Sequence, residues 1–272
     1  MLAFSVRNAV LTLSVFALTI TLTSCSGSIA ARAGLPEVSW SAARAAYAAG
    51  DYAATLEQLE SLTDTPNEFR NRAVPWSMVL SAGLASGYIE LADGYARGAH
   101  ANKSNAALYH RKASEYRNLA SPLVLQAARV ADQLQQLPHG SVTLSFGRPR
   151  GSLAYSQALY KIAGGVAVTD EEAESAVPQT LDRNVLLIAC AAAGAPNDSA
   201  KAAEILGHAS TITPRGAFAG AMAAVLEKVG TLFSRNQLDL PDKSAQVNAR
   251  INALRIVAEE AGPAMVVKVQ GR

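Results

Sequence analysis

Four histidines, two cysteines and two Glu-Ser pairs are the residues of this 272-residue chain with chemistry to offer. Their spacing gives them little to do together. His100 and His110 flank a turn, His139 lies in a loop and His208 ends a helix, so they form no His-Glu-x-x-His and no clustered Cys/His set of the kind that holds zinc. No metal and no cofactor are expected. Cys190 follows Leu186, Leu187, Ile188 and Ala189, a buried helical setting, whereas a nucleophilic thiol needs exposure and positive neighbours. A glycine-rich phosphate loop with Lys and a Gly-x-Ser-x-Gly elbow are also missing. Glu174 follows the run Asp170, Glu171, Glu172, whose simplest role is to complement the positive end of a helix dipole. Glu60 precedes Ser61, but a general acid needs a desolvated pocket that the sequence does not show. No catalytic residue is assigned.

Two other groupings point to contact rather than catalysis. Gly83, Gly87, Gly94 and Gly98 fall at i, i+4, i+11 and i+15, which at ~100° per residue puts them within an arc of about 60° on one helix. Each glycine in a helix interior costs ~1 kcal/mol relative to alanine, so something must approach the backbone closely along that stripe. A neighbouring helix, Ser104 to Leu119, is the simple occupant. The functional alternative is a groove floored by the glycines and walled by Tyr88 and Tyr95, taking an extended peptide or a small ligand. Arg148 and Arg150, either side of Pro149, form a rigid bibasic turn that would meet a partner carboxylate or acidic headgroups, or else simply face water.

Composition narrows the class. Half of the residues are hydrophobic and the net charge is +2, enough for a sizeable core and too little positive charge for a nucleic-acid partner. The apolar run from Ala9 to Thr23, preceded by Arg7, is shorter than the ~20 residues that span a bilayer and has the layout of a secretory signal. Leu22-Thr23-Ser24-Cys25 resembles the bacterial lipobox. That resemblance implies cleavage after residue 24, a diacylglycerol thioether on Cys25 and a protein held to the membrane by lipid. Ser26, rather than Asp, is similar to the pattern passed on to the outer membrane. With Arg7 the single charged residue of the signal, the mature net charge would be +1. Residues 25–36, small and polar, read as a flexible tether.

Beyond the tether, helical periodicity dominates. Leu84, Tyr88, Leu91 and Tyr95 share one face, then Tyr109, Ala113, Tyr116 and Ala120, then Leu123, Ala127, Val130 and Leu134, which predicts three long helices between Pro75 and Leu137. Shorter helices are expected over Ser152 to Ala163, Asp170 to Ala176, Pro178 to Ala193 and Asp198 to His208, with two more stripes at Phe218 to Val229 and Val247 to Ala258. Ser141 to Phe146 alternates like a strand. Met265 to Gln270 is its possible partner, a frayed tail being the alternative. The expectation is an all-α fold in two lobes, 37–137 and 152–262, joined by a short irregular or β-like connector, 138–151, and followed by a tail, 263–272.

Trp40 to Asn67 reads as two short helices of small residues hinged at Gly50-Asp51-Tyr52, with Pro66 after them. It resembles one tetratricopeptide (TPR) unit, although Thr55 and Leu62 replace the usual alanines and no 34-residue period continues through the chain. The resemblance implies helical hairpins stacked as a superhelix, a protein-binding scaffold and a partner in the envelope. A small-ligand-binding accessory of a periplasmic uptake system is the alternative. A helical cell-wall enzyme comes third: Glu60-Ser61 and Glu174-Ser175 are similar to the catalytic Glu-Ser of lytic transglycosylases, but that family's Gly-Leu-Met-Gln segment is missing.

Overall fold

The computed structural model describes residues 35–196, 198–207 and 211–260. The signal, Cys25, the tether to residue 34, His208 and the tail from residue 261 lie outside them, as does the strand-like Met265 to Gln270.

The chain opens on a hairpin whose turn is written in its sequence. Helix α1 (Pro36–Ala49) starts with a proline, which suits a first turn whose N–H has no helical acceptor, and ends at Gly50 with φ +80°. That left-handed conformation lets Gly50 and Asp51 donate N–H groups back to Tyr47 and Ala46 carbonyls, both at 2.9 Å, closing the helix. Asp51 then caps α2 (Tyr52–Thr63), its carboxylate accepting from the Ala54 N–H at 2.9 Å, as N-cap acids do.

Two long helices follow, α3 (Arg70–Ala101) and α4 (Ala106–Gln135), linked by a 3-10 turn at Lys103–Asn105. Three helices were expected in this span. Pro122 does not end α4, and Pro178 does not divide α6 (Asp170–Ala192). A proline forfeits one helical hydrogen bond and crowds the preceding turn, but both rings lie on exposed faces while the residues around them are tied down by packing. The remaining elements are β1 (Ser141–Leu144), α5 (Gln157–Ala163), α7 (Ser199–Leu206), β2 (Thr211–Pro214), α8 (Arg215–Gly230) with a 3-10 extension Thr231–Phe233, and α9 (Pro241–Glu260).

The fold is all-α with one small sheet. β1 pairs antiparallel with β2, Ser141 opposite Pro214 and Leu144 opposite Thr211. Thr211–Pro214 gave no strand signal of its own because four residues are too few to show alternation. Helix α3 is the spine: it packs against α2, α4, α5, α6 and α8 and buries Trp76, Met78 and Leu80 completely. Burying a large apolar side chain is worth about 1.5–3 kcal/mol. One core runs from Trp40 to Val257, so the halves expected on either side of residues 138–151 share it. The span Arg215–Phe233 is long and apolar enough to cross a membrane, with mean hydropathy 1.3, but Phe218, Met222 and Leu226 are fully buried in this core.

The connector is fastened to the first hairpin. Phe146 sits 5.1 Å from Trp40, 4.7 Å from Tyr47 and 5.3 Å from Trp76, centroid to centroid, within the range of favourable aromatic pairs. The Tyr47 hydroxyl donates to the Gly147 carbonyl, and the Arg150 N–H donates to the Tyr52 hydroxyl at 2.7 Å.

Candidate binding cleft

Four helices converge on an apolar cleft of about 480 Å³, open to solvent along one side. Each contributes a pair spaced three or four residues apart, the spacing that puts side chains on one face: Tyr52 and Leu56 from α2, Leu84 and Tyr88 from α3, Leu119 and Leu123 from α4, Pro178 and Leu181 from α6. Leu119 is 49% exposed and lies beside the half-buried Tyr88, Leu123 and Leu181. The charged residues around the cleft are Asp51, Glu57, Glu60 and Asp182, all acids. Among the described residues Asp182 makes no hydrogen bond or ion pair, and burial pushes its carboxyl above the usual carboxylate range while Arg150 pulls it partly back. Burial also raises the Tyr52 hydroxyl to about 12, against the hydrogen bond from the Arg150 backbone.

The glycine stripe lies behind this cleft and is filled by the protein itself. A Cβ on Gly83 would lie 2.8 Å from the Val185 Cα, and one on Gly87 would lie 2.8 Å from Leu181 Cδ2, both on α6. On Gly94 it would strike Leu159, and on Gly98 the Ile162 carbonyl, both on α5. A close approach does run along the stripe, but α6 and α5 make it rather than the expected helix over Ser104 to Leu119, and α4 reaches it only through Tyr109 at Gly98. No groove floored by these glycines remains. Tyr95 is buried between Tyr109 and Tyr116, at 5.6 Å from each ring. Of the stripe residues proposed for binding, Tyr88 alone reaches an open surface, stacked 6.1 Å from Tyr116.

The bibasic turn is divided in its duties. The Arg150 guanidinium donates to the Ala49 carbonyl at 2.9 Å, stabilising the negative end of α1, so this side chain is engaged within the fold. Arg148 is exposed and, among the described residues, donates to the Gly151 carbonyl alone, at 3.3 Å.

No family model, no curated protein and no solved structure matches this chain. Function therefore has to be argued from the geometry.

A second, smaller pocket of about 310 Å³ lies between α3, α6 and α8. Its wall is an ion pair, Arg183 donating to both Glu90 oxygens at 2.8 and 3.1 Å. Asn184 donates to Glu90 and to the Thr180 carbonyl, and Ser86 donates to Asn184. The network holds α6 in register on α3, because every member is satisfied by a neighbour.

The residues singled out for chemistry are kept apart. Cys190 is buried with Leu186, Ala195 and Ala202, and burial pushes its thiol up. Glu60 is paired with Arg129, while Glu174 is exposed. The His100 and His110 rings are 6.2 Å apart at centroid, and among the described residues no three His, Cys, Asp or Glu side chains are grouped to hold a metal. The cleft itself was not visible in the sequence, because its lining is shared among four helices that are far apart along the chain. The available signal was the pair Leu84 and Tyr88, read as one face without knowledge of what stood opposite.

Proposed function

We propose that this protein is a lipid-anchored envelope scaffold that binds another protein through the acid-rimmed cleft. The observation that carries this is the form of the cleft: an apolar surface assembled from four helices and left open along one side, as helix-packed docking grooves are. The lipobox at Leu22 to Cys25 supports the anchor, and Ser26 supports an outer-membrane face toward the periplasm. The hairpin at Gly50 supports the TPR-like comparison over α1 and α2. α3 and α4, at 32 and 30 residues, are each nearly as long as a whole 34-residue unit. Confinement to a membrane raises the effective concentration of scaffold and partner without any new contact.

The reading is tested by affinity capture from native membranes after mild crosslinking, comparing the wild-type protein with Leu119→Glu and Cys25→Ala. A defined protein retained by the wild type, lost with Leu119→Glu and no longer membrane-associated with Cys25→Ala, is the expected result. Retention unchanged by Leu119→Glu contradicts it. The pocket beside Glu90 and Arg183, where polar groups converge with Tyr155, favours the second reading, a small-ligand-binding accessory. Recovery of a co-purifying small molecule without protein would select that one.

A further inference from the structure

Resting on the reading of the cleft as a docking surface, we propose that the partner segment it takes carries a Lys or Arg beside its apolar residues, with the cation seated on Asp182. The charge around the cleft is one-sided, four acids and no base, although the chain as a whole carries +2. Two of these acids are already engaged: Asp51 caps α2 and Glu60 pairs with Arg129. Asp182 is half-buried next to Gly151, where a Cβ would meet it at 2.9 Å, and it makes no hydrogen bond or ion pair among the described residues. The nearest cation, Arg150, spends its guanidinium on the Ala49 carbonyl.

A carboxylate held partly out of water without a partner is unfavourable, so a cation brought there gains a charge-assisted bond that the free protein lacks. The apolar residues of the same segment would cover Tyr88, Leu119 and Leu123, which are half-buried or exposed in the free protein. A segment with Asp or Glu at that place would face an excess of acids, offset only by Arg150, whose guanidinium is already bonded to the Ala49 carbonyl, and Arg129, already paired with Glu60. The rim therefore favours a cation for specificity as well as affinity.

The test uses the full-length protein as target for a random peptide library displayed on phage, with Leu119→Glu panned in parallel. Peptides that bind the wild type and not Leu119→Glu are expected to carry Lys or Arg within one turn of apolar residues. They should bind Asp182→Asn about tenfold more weakly and regain most of that loss with Asp182→Glu. Cleft-dependent peptides without basic bias, or indifferent to Asp182→Asn, overturn the proposal and leave the docking reading intact. A selection that yields no peptide sensitive to Leu119→Glu overturns both. A synthetic peptide of residues 261–272, which holds Met265, Val266, Lys268 and Arg272, serves as competitor. If it displaces the selected peptides, the occupant is this chain's own tail and a basic partner segment is ruled out.

Discussion

Leu181 occupies the space that a side chain on Gly87 would need: Leu181 Cδ2 would be 2.8 Å, and Leu181 Cα 3.1 Å, from a Cβ built there. This contact fixes how close α6 comes to the spine helix, and thereby where Asp182 enters the cleft. In an exposed helix Gly→Ala gains up to about 1 kcal/mol. Here Gly87→Ala should instead cost about 1–3 kcal/mol through overpacking, read as a lowered urea midpoint. A raised midpoint would mean that α6 does not rest on the stripe.

Phe146 ties the connector to both tryptophans. Phe146→Ala removes the ring shared by Trp40, Tyr47 and Trp76 and should cost about 3–5 kcal/mol, the range for deleting a buried aromatic. Urea unfolding followed by tryptophan fluorescence measures this, because Trp40 and Trp76 are the only two in the chain and both border the cavity. A loss below about 1 kcal/mol would show that the connector is not anchored there.

The Glu90–Arg183 pair, with side chains 18% and 21% exposed, should behave as a buried pair. Arg183→Leu leaves the Glu90 carboxylate with Asn184 alone and should cost about 3 kcal/mol, while the double change with Glu90→Leu recovers a large part of that loss. A double-mutant cycle in thermal unfolding checks it. Equal losses in the single and double variants would contradict the pairing energy.

Asp182 gives a pH signature of opposite sign to a salt-bridged acid. Burial raises its folded carboxyl above the ordinary value of 3.8, so folding disfavours the ionised form, with a penalty that sets in as pH rises past the unfolded value and is complete above the folded one. Asp182→Asn should therefore be more stable than wild type at neutral pH and equal to it well below pH 3.8. Paired urea titrations at the two pH values test this, and a variant less stable at neutral pH would mean that Asp182 has a partner. Gain of stability with loss of binding is the pattern of a residue kept for function.

Local chemistry was legible from the sequence. Gly50, Asp51 and Tyr52 announced the first hairpin because turn and cap act within a few residues, and the run at Asp170 announced the start of α6. Non-local choices were not legible. The glycine stripe said that a backbone must come close, but whether Val185 or Leu108 belonged to that neighbour depends on chain segments about a hundred residues apart. The stretches on either side of Pro122 and Pro178 read as separate helices because a proline's cost is local, whereas the packing that overrides it is tertiary. The cleft escaped for the same reason: its residues come from four helices, and Leu119 looked like any other apolar position until its exposure was known.

The proposed docking surface is the open side of the cleft. A photo-crosslinking amino acid placed at Leu119 in the full-length protein, expressed in its own cells, probes that surface directly. The same group at Ile256 on α9, 56% exposed, is the control. The expected outcome is a discrete protein adduct from position 119, weakened when Asp182→Asn is added, and none from position 256. The same adducts from both positions, or none from position 119, would contradict it.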